Sequence, residues 1–295
     1  MHNDNRFACL RAHLRLITRI SVLMLSLLSC AACANGLDAQ EQRMAAWIDA
    51  HAEDAIALLE ETVNISSGTM NHEGVRQVGA VMRRELDALG LETEWIEMPP
   101  EMQRAGHLFG RKLDGSGPRI LLIGHLDTVF EADDEFQAFV RDGDRATGPG
   151  VEDMKGGNVV IVYALKALKE IGALDDIPVV VAYTGEEERT GRPLSVSRKD
   201  LIDAGKWADV GLGFESAVTF DGSDWGTVAR RSSSTWLLKV EGVQAHSSGI
   251  FNERVGAGAV FEAARILDAF YDQVRGEREL TFNVGTIQGG TDVDY

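Results

Sequence analysis

The sequence predicts an α/β protein in which a mixed β-sheet is flanked by helices, followed by an incomplete α+β domain. Short apolar runs, typical of buried strands, alternate in the first part of the chain with longer segments of helical periodicity. After Asp221-Gly222 a new strand–helix–strand pattern begins. A chain of 295 residues is long enough for one large domain or two smaller ones. We therefore predict a targeting segment over 1–34, a first domain over 35–228 and a second domain over 229–295.

The targeting segment has the features of a secretory signal peptide. Its apolar run at 20–28 is too short to span a bilayer, which needs roughly 20 residues. Ala32-Cys33-Ala34 has the small-x-small pattern of a signal peptidase site. The positive start consists of Arg6, Arg11, Arg15 and Arg19. We favour cleavage and export to the periplasm or the medium, with two alternatives: a lipoprotein acylated at Cys30, and an uncleaved anchor.

Cysteine usage and charge narrow the function classes further. The three cysteines, Cys9, Cys30 and Cys33, all lie in the targeting segment, so the exported chain would have no thiol for disulfides or for metal binding. The formal net charge of −17 disfavours nucleic acid as a partner. A solvated acidic surface explains most of that charge.

The first half of the chain is predicted to supply two helices and three strands. Helical spacing runs over 38–65, and Asn71 is a candidate cap for a second helix that reaches Leu89 and ends at Gly90. The strands are expected at 91–97, 106–113 and 119–124, the last two on either side of a turn at 114–117.

A helix is expected after Asp153, and the alternation then continues to the end of the first domain. The elements expected there are a strand at 177–183, a short helix at 197–204 and a strand at 209–214. The elements expected in the second domain are a strand at 235–241, a helix at 255–274 and a strand at 279–288.

Residues of the types that bind metals follow the apolar strands. His125 ends one strand, and Asp127 projects to the same side because residues two apart share a face. Asp153 lies where a loop rich in Gly and Pro meets a helix start. Ligand sites of α/β sheets lie outside the carboxyl ends of strands. We therefore predict that His125 and Asp153 hold a metal ion.

Further carboxylates, Glu186, Glu187 and Glu215, follow the next two strands. Without thiolates, imidazole and carboxylates are the ligands expected of zinc. Two zinc ions could share a bridging carboxylate and a bridging water. Glu186 and Glu187 could then divide two tasks, one as general base and one as ligand. Asp127 suits the orientation of the His125 ring.

Each of these residues also has an ordinary structural interpretation. A His-x-Asp sequence at a strand end is common, and a run of glutamates is usually a solvated turn. Asp153 could be favoured by the helix dipole, and Glu215 could be a helix-cap partner. The order and placement of all the acids on one sheet edge favour the metal site.

The order of four motifs resembles the M20 metallopeptidases, nearest to the glutamate carboxypeptidase branch, over residues 39–295. The motifs are Gly124-His125-Leu126-Asp127-Thr128-Val129, Gly148-Pro149-Gly150-Val151-Glu152-Asp153-Met154-Lys155-Gly156-Gly157, Thr184-Gly185-Glu186-Glu187 and Phe214-Glu215. The resemblance implies a hydrolase of amide bonds with two zinc ions in a complete active site. It implies that His125 and Glu215 bind one zinc ion, that Glu187 binds the other, and that Asp153 bridges both.

The resemblance also implies roles outside the zinc ligands. Glu186 would be the general base, and Asp127 would be the partner of His125. His246, in the second domain, would stabilise the oxyanion, often across a homodimer formed through that lid domain; the ordinary alternative is a loop His that caps a helix. A cis peptide bond is implied between Asp153 and Met154.

Members of the family continue beyond the lid and supply a final His ligand and residues that grip a substrate carboxylate. The sequence ends at Tyr295 before any of these, so we expect a truncated family member. The leading hypothesis is an exported, zinc-dependent carboxypeptidase that acts on small peptides through a metal-bridged water. The alternatives are an N-acyl amino acid amidohydrolase, an inactive remnant that keeps the fold, and an acidic secreted binding protein without metal.

Overall fold

The computed structural model describes residues 36–290. The predicted targeting segment, 1–34, lies outside these residues. Contacts divide the chain into two compact units, one that ends at Ala217 and one that begins at Val218. This division lies before the predicted domain boundary at 228–229. None of the helices among the described residues is long and apolar enough to cross a membrane.

The first unit is built on a five-stranded mixed sheet. The strands of this unit are β1 (Glu92–Ile96), β2 (His107–Lys112), β3 (Ile120–His125), β4 (Val140–Asp142), β5 (Arg145–Thr147), β6 (Val179–Thr184) and β7 (Val210–Gly213). Their order in the sheet is β1-β2-β6-β3-β7, and β3 pairs in parallel with both β6 and β7, whereas β1 and β2 run antiparallel to their neighbours. A separate hairpin is formed by β4 and β5. The strands β2 and β3 flank the predicted turn but do not pair with each other, because β6 lies between them.

Six helices among the described residues belong to this unit. They are α1 (Ala39–Ala50), α2 (Ala52–Val63), α3 (His72–Leu89), α4 (Gly156–Glu170), α5 (Leu194–Ser197) and α6 (Lys199–Trp207). The helical pattern predicted over 38–65 is divided into two helices at His51. Asn71 caps α3 by accepting a hydrogen bond from the backbone N–H of Gly74, and Gly90 ends it in the left-handed conformation, both as predicted.

Helices cover both faces of the sheet, so the predicted fold class is confirmed. Alternate residues of a strand point to opposite faces. Leu108, Leu122 and Val181 therefore pack into one core with α3 and α4, while Phe109 and Val180 pack on the other face with α6. The strand β6 is buried along its whole length, as expected of a central strand.

The second unit has less regular structure than the sequence predicts. It contains a hairpin of β8 (Val218–Phe220) and β9 (Ser223–Trp225), and the helix α7 (Ala259–Val274). The helix confirms most of the pattern predicted over 255–274. The strands predicted at 235–241 and 279–288 do not form, so that part of the prediction is wrong. A strand needs a neighbour for its backbone N–H and C=O groups, and these segments pair with none of the described residues.

Candidate metal centre

The candidate site lies at the carboxyl ends of the three parallel strands. His125 is the last residue of β3, the glutamate run follows β6, and Glu215 follows β7. Asp153 lies in an irregular turn, Val151–Lys155, that leads into α4. The chain topology therefore gathers at one edge of the sheet residues that are remote in sequence.

The structure brings three of the four predicted ligands close together. The Nε2 atom of His125 lies 3.0 Å from Oδ1 of Asp153 and 3.7 Å from Oε1 of Glu215. The His125 ring is buried, whereas the two carboxylates remain partly exposed. The Asp153–Met154 peptide bond is cis, as predicted.

A third carboxylate, that of Glu188, joins this group. One ligand atom from each of His125, Asp153 and Glu188 lies within 4.8 Å of the other two. One imidazole and two carboxylates form a donor set that suits a divalent cation such as zinc. The residues present therefore fit a metal ion, although Glu188 was not among the predicted ligands.

Negative charge dominates the electrostatics around the imidazole. Burial by itself would lower the pKa of His125, but the neighbouring carboxylates of Asp127, Glu215 and Glu187 raise that pKa to about 9. A metal ion must therefore displace a proton from this ring when it binds.

The carboxylates around His125 also oppose one another's ionisation. Burial raises the pKa of Glu188 to about 7, and the charge of Asp153 adds to that effect. Burial and the charge of Asp153 also raise the pKa of Glu215. Carboxylates crowded in this way repel one another, and a bound cation would relieve the repulsion.

Asp127 connects the imidazole to the glutamate loop. The Nδ1 atom of His125 lies 2.9 Å from the backbone carbonyl oxygen of Asp127 and 3.5 Å from its Oδ1. Because a carbonyl oxygen can only accept a hydrogen bond, Nδ1 of His125 carries a proton. Nε2 is the ring nitrogen that faces Asp153. The buried Asp127 carboxylate accepts hydrogen bonds from the backbone N–H groups of Glu187 (3.0 Å) and Glu188 (3.2 Å).

Thr69 is a residue of the site that sequence reasoning missed. Its hydroxyl donates a hydrogen bond of 2.7 Å to Oδ2 of Asp127, and both side chains are buried. The sequence identified 66–69 only as an interruption of a helix. The contact spans 58 residues, so no local pattern could have indicated it.

The glutamate run is placed differently from the prediction. Glu186, the predicted general base, is fully buried, and its Oε1 accepts a hydrogen bond of 2.9 Å from Arg198. Glu187 is exposed, and its charge acts on His125, Glu188 and Glu215. A fully buried carboxylate that is paired with the half-buried guanidinium of Arg198 is poorly placed to take a proton from a water molecule. Glu188 therefore belongs to the group of candidate ligands, and Glu187 lies close enough for its charge to act on that group. The predicted roles of Glu186 and Glu187 stay predictions.

His246 lies in the second unit, in an exposed loop. Its Nδ1 atom accepts a hydrogen bond from the backbone N–H of Ser248, and this side chain caps the short 3₁₀ turn Ser247–Gly249. This local contact matches the ordinary structural interpretation of His246. Its predicted role at an oxyanion stays a prediction.

Residues 121–295 match the family model described as Peptidase family M20/M25/M40. The chain belongs to this family. The resemblance predicted from the four motifs is thereby confirmed.

Individual curated relatives match over longer stretches of the chain than the family model does. Carboxypeptidase G2 of Pseudomonas sp. (strain RS-16) is 32% identical over 219 residues, which are 72% of this chain and 49% of that protein. Succinyl-diaminopimelate desuccinylase of Gluconobacter oxydans (strain 621H) is 29% identical over 201 residues, 65% of this chain and 50% of that protein. The chain spans about half the length of the curated relatives it matches. Among solved structures, the di-peptidase Dug1p from Saccharomyces cerevisiae aligns with a TM-score of 0.48 and 18% identity, over 58% of this chain and 40% of that one.

Proposed function

We propose that this chain carries the zinc site of an M20-type carboxypeptidase, a hydrolase that cleaves the amide bond of a small peptide. The observation that supports the proposal best is the group of His125, Asp153 and Glu188 at the carboxyl ends of the parallel strands. Family membership and the similarity to carboxypeptidase G2 support it further.

In this proposal the ligands are His125 through Nε2, together with the carboxylates of Asp153, Glu188 and Glu215. Among these carboxylates that of Asp153 lies nearest to Nε2 of His125, and it would be the ligand shared by a second ion. Zinc ions bound there would lower the pKa of a water molecule and would polarise the scissile carbonyl group. Asp127 fixes the imidazole so that Nε2 keeps facing the ions.

We assign the general base to Glu187 rather than Glu186. Glu187 is exposed beside the ligand group, while its backbone N–H is fixed by Asp127. Its carboxylate accepts a proton from the attacking water and passes that proton to the leaving nitrogen. The products are a carboxylic acid and an amine, and Glu187 returns to its ionised form.

The test combines metal content with hydrolysis by the purified chain. We expect about two zinc ions per chain and release of glutamate from a small peptide that ends in glutamate. The His125→Ala variant should lose both properties because it removes the buried imidazole. A folded chain that binds no zinc would contradict the proposal and would favour an inactive remnant or an acidic binding protein.

A second candidate function is hydrolysis of N-acyl amino acids. The similarity to succinyl-diaminopimelate desuccinylase favours it, because that relative is named for removal of a succinyl group. The same residues would carry the reaction, so only the substrate differs. Faster hydrolysis of N-succinyl or N-acetyl amino acids than of peptides by one zinc-loaded preparation would select this function.

We also propose that the chain is exported through residues 1–34 and forms a homodimer through its second unit. Sequencing the amino terminus of the protein recovered from the periplasm or the medium tests export, and a blocked terminus at Cys30 would indicate the lipoprotein alternative. Light scattering tests the homodimer, for which a monomer at all concentrations would be the contrary result.

A further inference from the structure

We propose that Glu186 and Arg198 form a positioning pair that holds the carboxylates of Glu187 and Glu188 at the metal site. The inference rests on the proposed function. It gives a role to two residues that neither bind the metal ion nor transfer the proton in that proposal. Glu186 is fully buried, and its two carboxylate oxygens are used separately. Oε1 accepts from Nη1 of Arg198 at 2.9 Å, and Oε2 accepts from the backbone N–H of Gly191 at 3.2 Å.

The residues around the Glu186 carboxylate leave room for it and complement its charge. A Cβ atom at Gly191 would lie 2.7 Å from Oε2 of Glu186, so only glycine permits this close approach. Arg104 lies 3.9 Å from the same oxygen and donates a hydrogen bond of 2.7 Å to the carbonyl oxygen of Arg189. The buried charge is thus surrounded by two guanidinium groups and one N–H, as a buried carboxylate requires.

Arg198 also reaches the backbone of Glu187. Its Nη2 atom donates a hydrogen bond of 3.0 Å to Oγ1 of Thr190, and that hydroxyl donates one of 3.1 Å to the carbonyl oxygen of Glu187. At the other backbone polar group of the same residue, Asp127 accepts a hydrogen bond from the N–H of Glu187. Glu187 is therefore fixed at its N–H by Asp127 and at its carbonyl by Arg198 acting through Thr190.

Side chains hold this loop at several of its backbone N–H groups. Gly185 donates to the His107 ring, Glu187 and Glu188 donate to Asp127, and Gly191 donates to Glu186. The direction of the Glu187 and Glu188 carboxylates consequently depends on these side chains. Loss of the Glu186–Arg198 pair should let both carboxylates turn away from His125.

The experiment uses the full chain with Glu186→Gln and Arg198→Gln combined, so that no unpaired charge stays buried. We expect the folded double variant to bind zinc about 10–100-fold more weakly than the parent, the range found when groups that orient metal ligands are removed. Competition with a chromophoric chelator measures the affinity. With a hydrolysed substrate, kcat should fall while KM stays close to that of the parent. The matched control is Glu85→Gln, because Glu85 is also largely buried and paired, with Lys166 and Arg84, but does not touch the loop.

A folded double variant with the zinc affinity of the parent would overturn the inference and leave the pair a role in stability alone. If the double variant does not fold, the Thr190→Val variant tests the inference instead, because it breaks only the link from Arg198 to the Glu187 carbonyl. We expect Thr190→Val to weaken zinc binding several-fold, and an unchanged affinity would overturn the inference in that case. A parent chain that binds no zinc would instead overturn the proposed function.

Discussion

The Nε2 atom of His125 lies 3.0 Å from Oδ1 of Asp153, although 28 residues separate the two along the chain. His125 ends a buried strand, and Asp153 lies in the irregular turn before α4. The imidazole is therefore carried by the end of a strand, and the carboxylate by a turn that leads directly into a helix. Helices and strands hold the residues of a site more accurately than long loops do.

Asp153→Asn should weaken zinc binding by at least about tenfold, because an amide is a poorer ligand than a carboxylate and the site loses one negative charge. The metal-free protein should stay as stable as the parent, since the substitution also relieves repulsion among the crowded acids. Chelator competition and thermal unfolding measure the two effects. The neighbouring exposed residue supplies the control: Glu152→Gln should change neither quantity, and an equal loss of affinity in it would point to a general charge effect.

Glu187→Gln and Glu188→Gln should have different effects if Glu187 is the general base. The Glu187 variant should keep its zinc and lose about 10²–10⁴-fold in kcat. The Glu188 variant should lose zinc affinity, because its carboxylate belongs to the ligand group. Zinc content and kcat measured on the same samples separate the two roles. The opposite result is that the Glu187 variant loses its zinc and the Glu188 variant keeps it. That result would support the assignment predicted from sequence, in which Glu187 is the ligand.

Thr69→Val should destabilise the metal-free chain by about 1–3 kcal/mol, because Asp127 loses the hydrogen bond of a buried hydroxyl. Denaturant unfolding measures the change. An exposed Thr–Asp contact serves as the control: Thr93 donates a hydrogen bond to Asp87 on the surface, and Thr93→Val should change stability by less than about 0.5 kcal/mol. Equal effects at the two positions would show that burial of Asp127 is irrelevant.

His107 should make the protein less stable as the pH falls below about 6.5, the ordinary pKa of histidine. Burial lowers the pKa of His107, whose Nε2 lies 2.9 Å from the carbonyl oxygen of Ser197. The unfolded chain takes up a proton at this residue at a higher pH than the folded chain does. The free energy of unfolding therefore decreases as the pH falls from 6.5 toward the lowered pKa.

Urea unfolding at a series of pH values between 7.5 and 5.5 tests this effect. His107→Gln should be less stable than the parent at pH 7.5 and should show a smaller decrease toward pH 5.5. Replacement of the half-buried His72 by Gln is the matched control for a His-to-Gln change outside this contact. The same slope in the parent and in His107→Gln would exclude His107 as its source.

Much of the site could be predicted because its residues follow recognisable elements. His125 ends one apolar strand, Glu215 follows another, and Asp153 comes before a helix, so topology alone places them on one edge. The assignment within the glutamate run could not be predicted in the same way. Three successive glutamates have the same chemistry, and contacts remote in sequence, such as that between Glu186 and Arg198 12 residues away, distinguish the first of them from the other two.

The accuracy of the fold prediction also depends on whether an element is determined by local or by distant interactions. Asn71 and Gly90 mark the ends of α3 through local hydrogen bonds and backbone conformation, so the sequence predicts that helix well. The strands predicted at 235–241 and 279–288 depended on partners elsewhere in the chain. Alternation of apolar and polar residues indicates that a segment can form a strand, but it does not provide the neighbour that the strand needs.

The direction of β3 offers a practical attachment point. The strand begins at Ile120 and ends at His125, so the turn at 114–117 lies at the opposite end, and the strand alone separates them by roughly 17 Å. The side chain of Asp114 in this turn is 82% exposed. A thiol introduced there as Asp114→Cys would carry a fluorophore or couple the protein to a surface while the metal site stays open to solution.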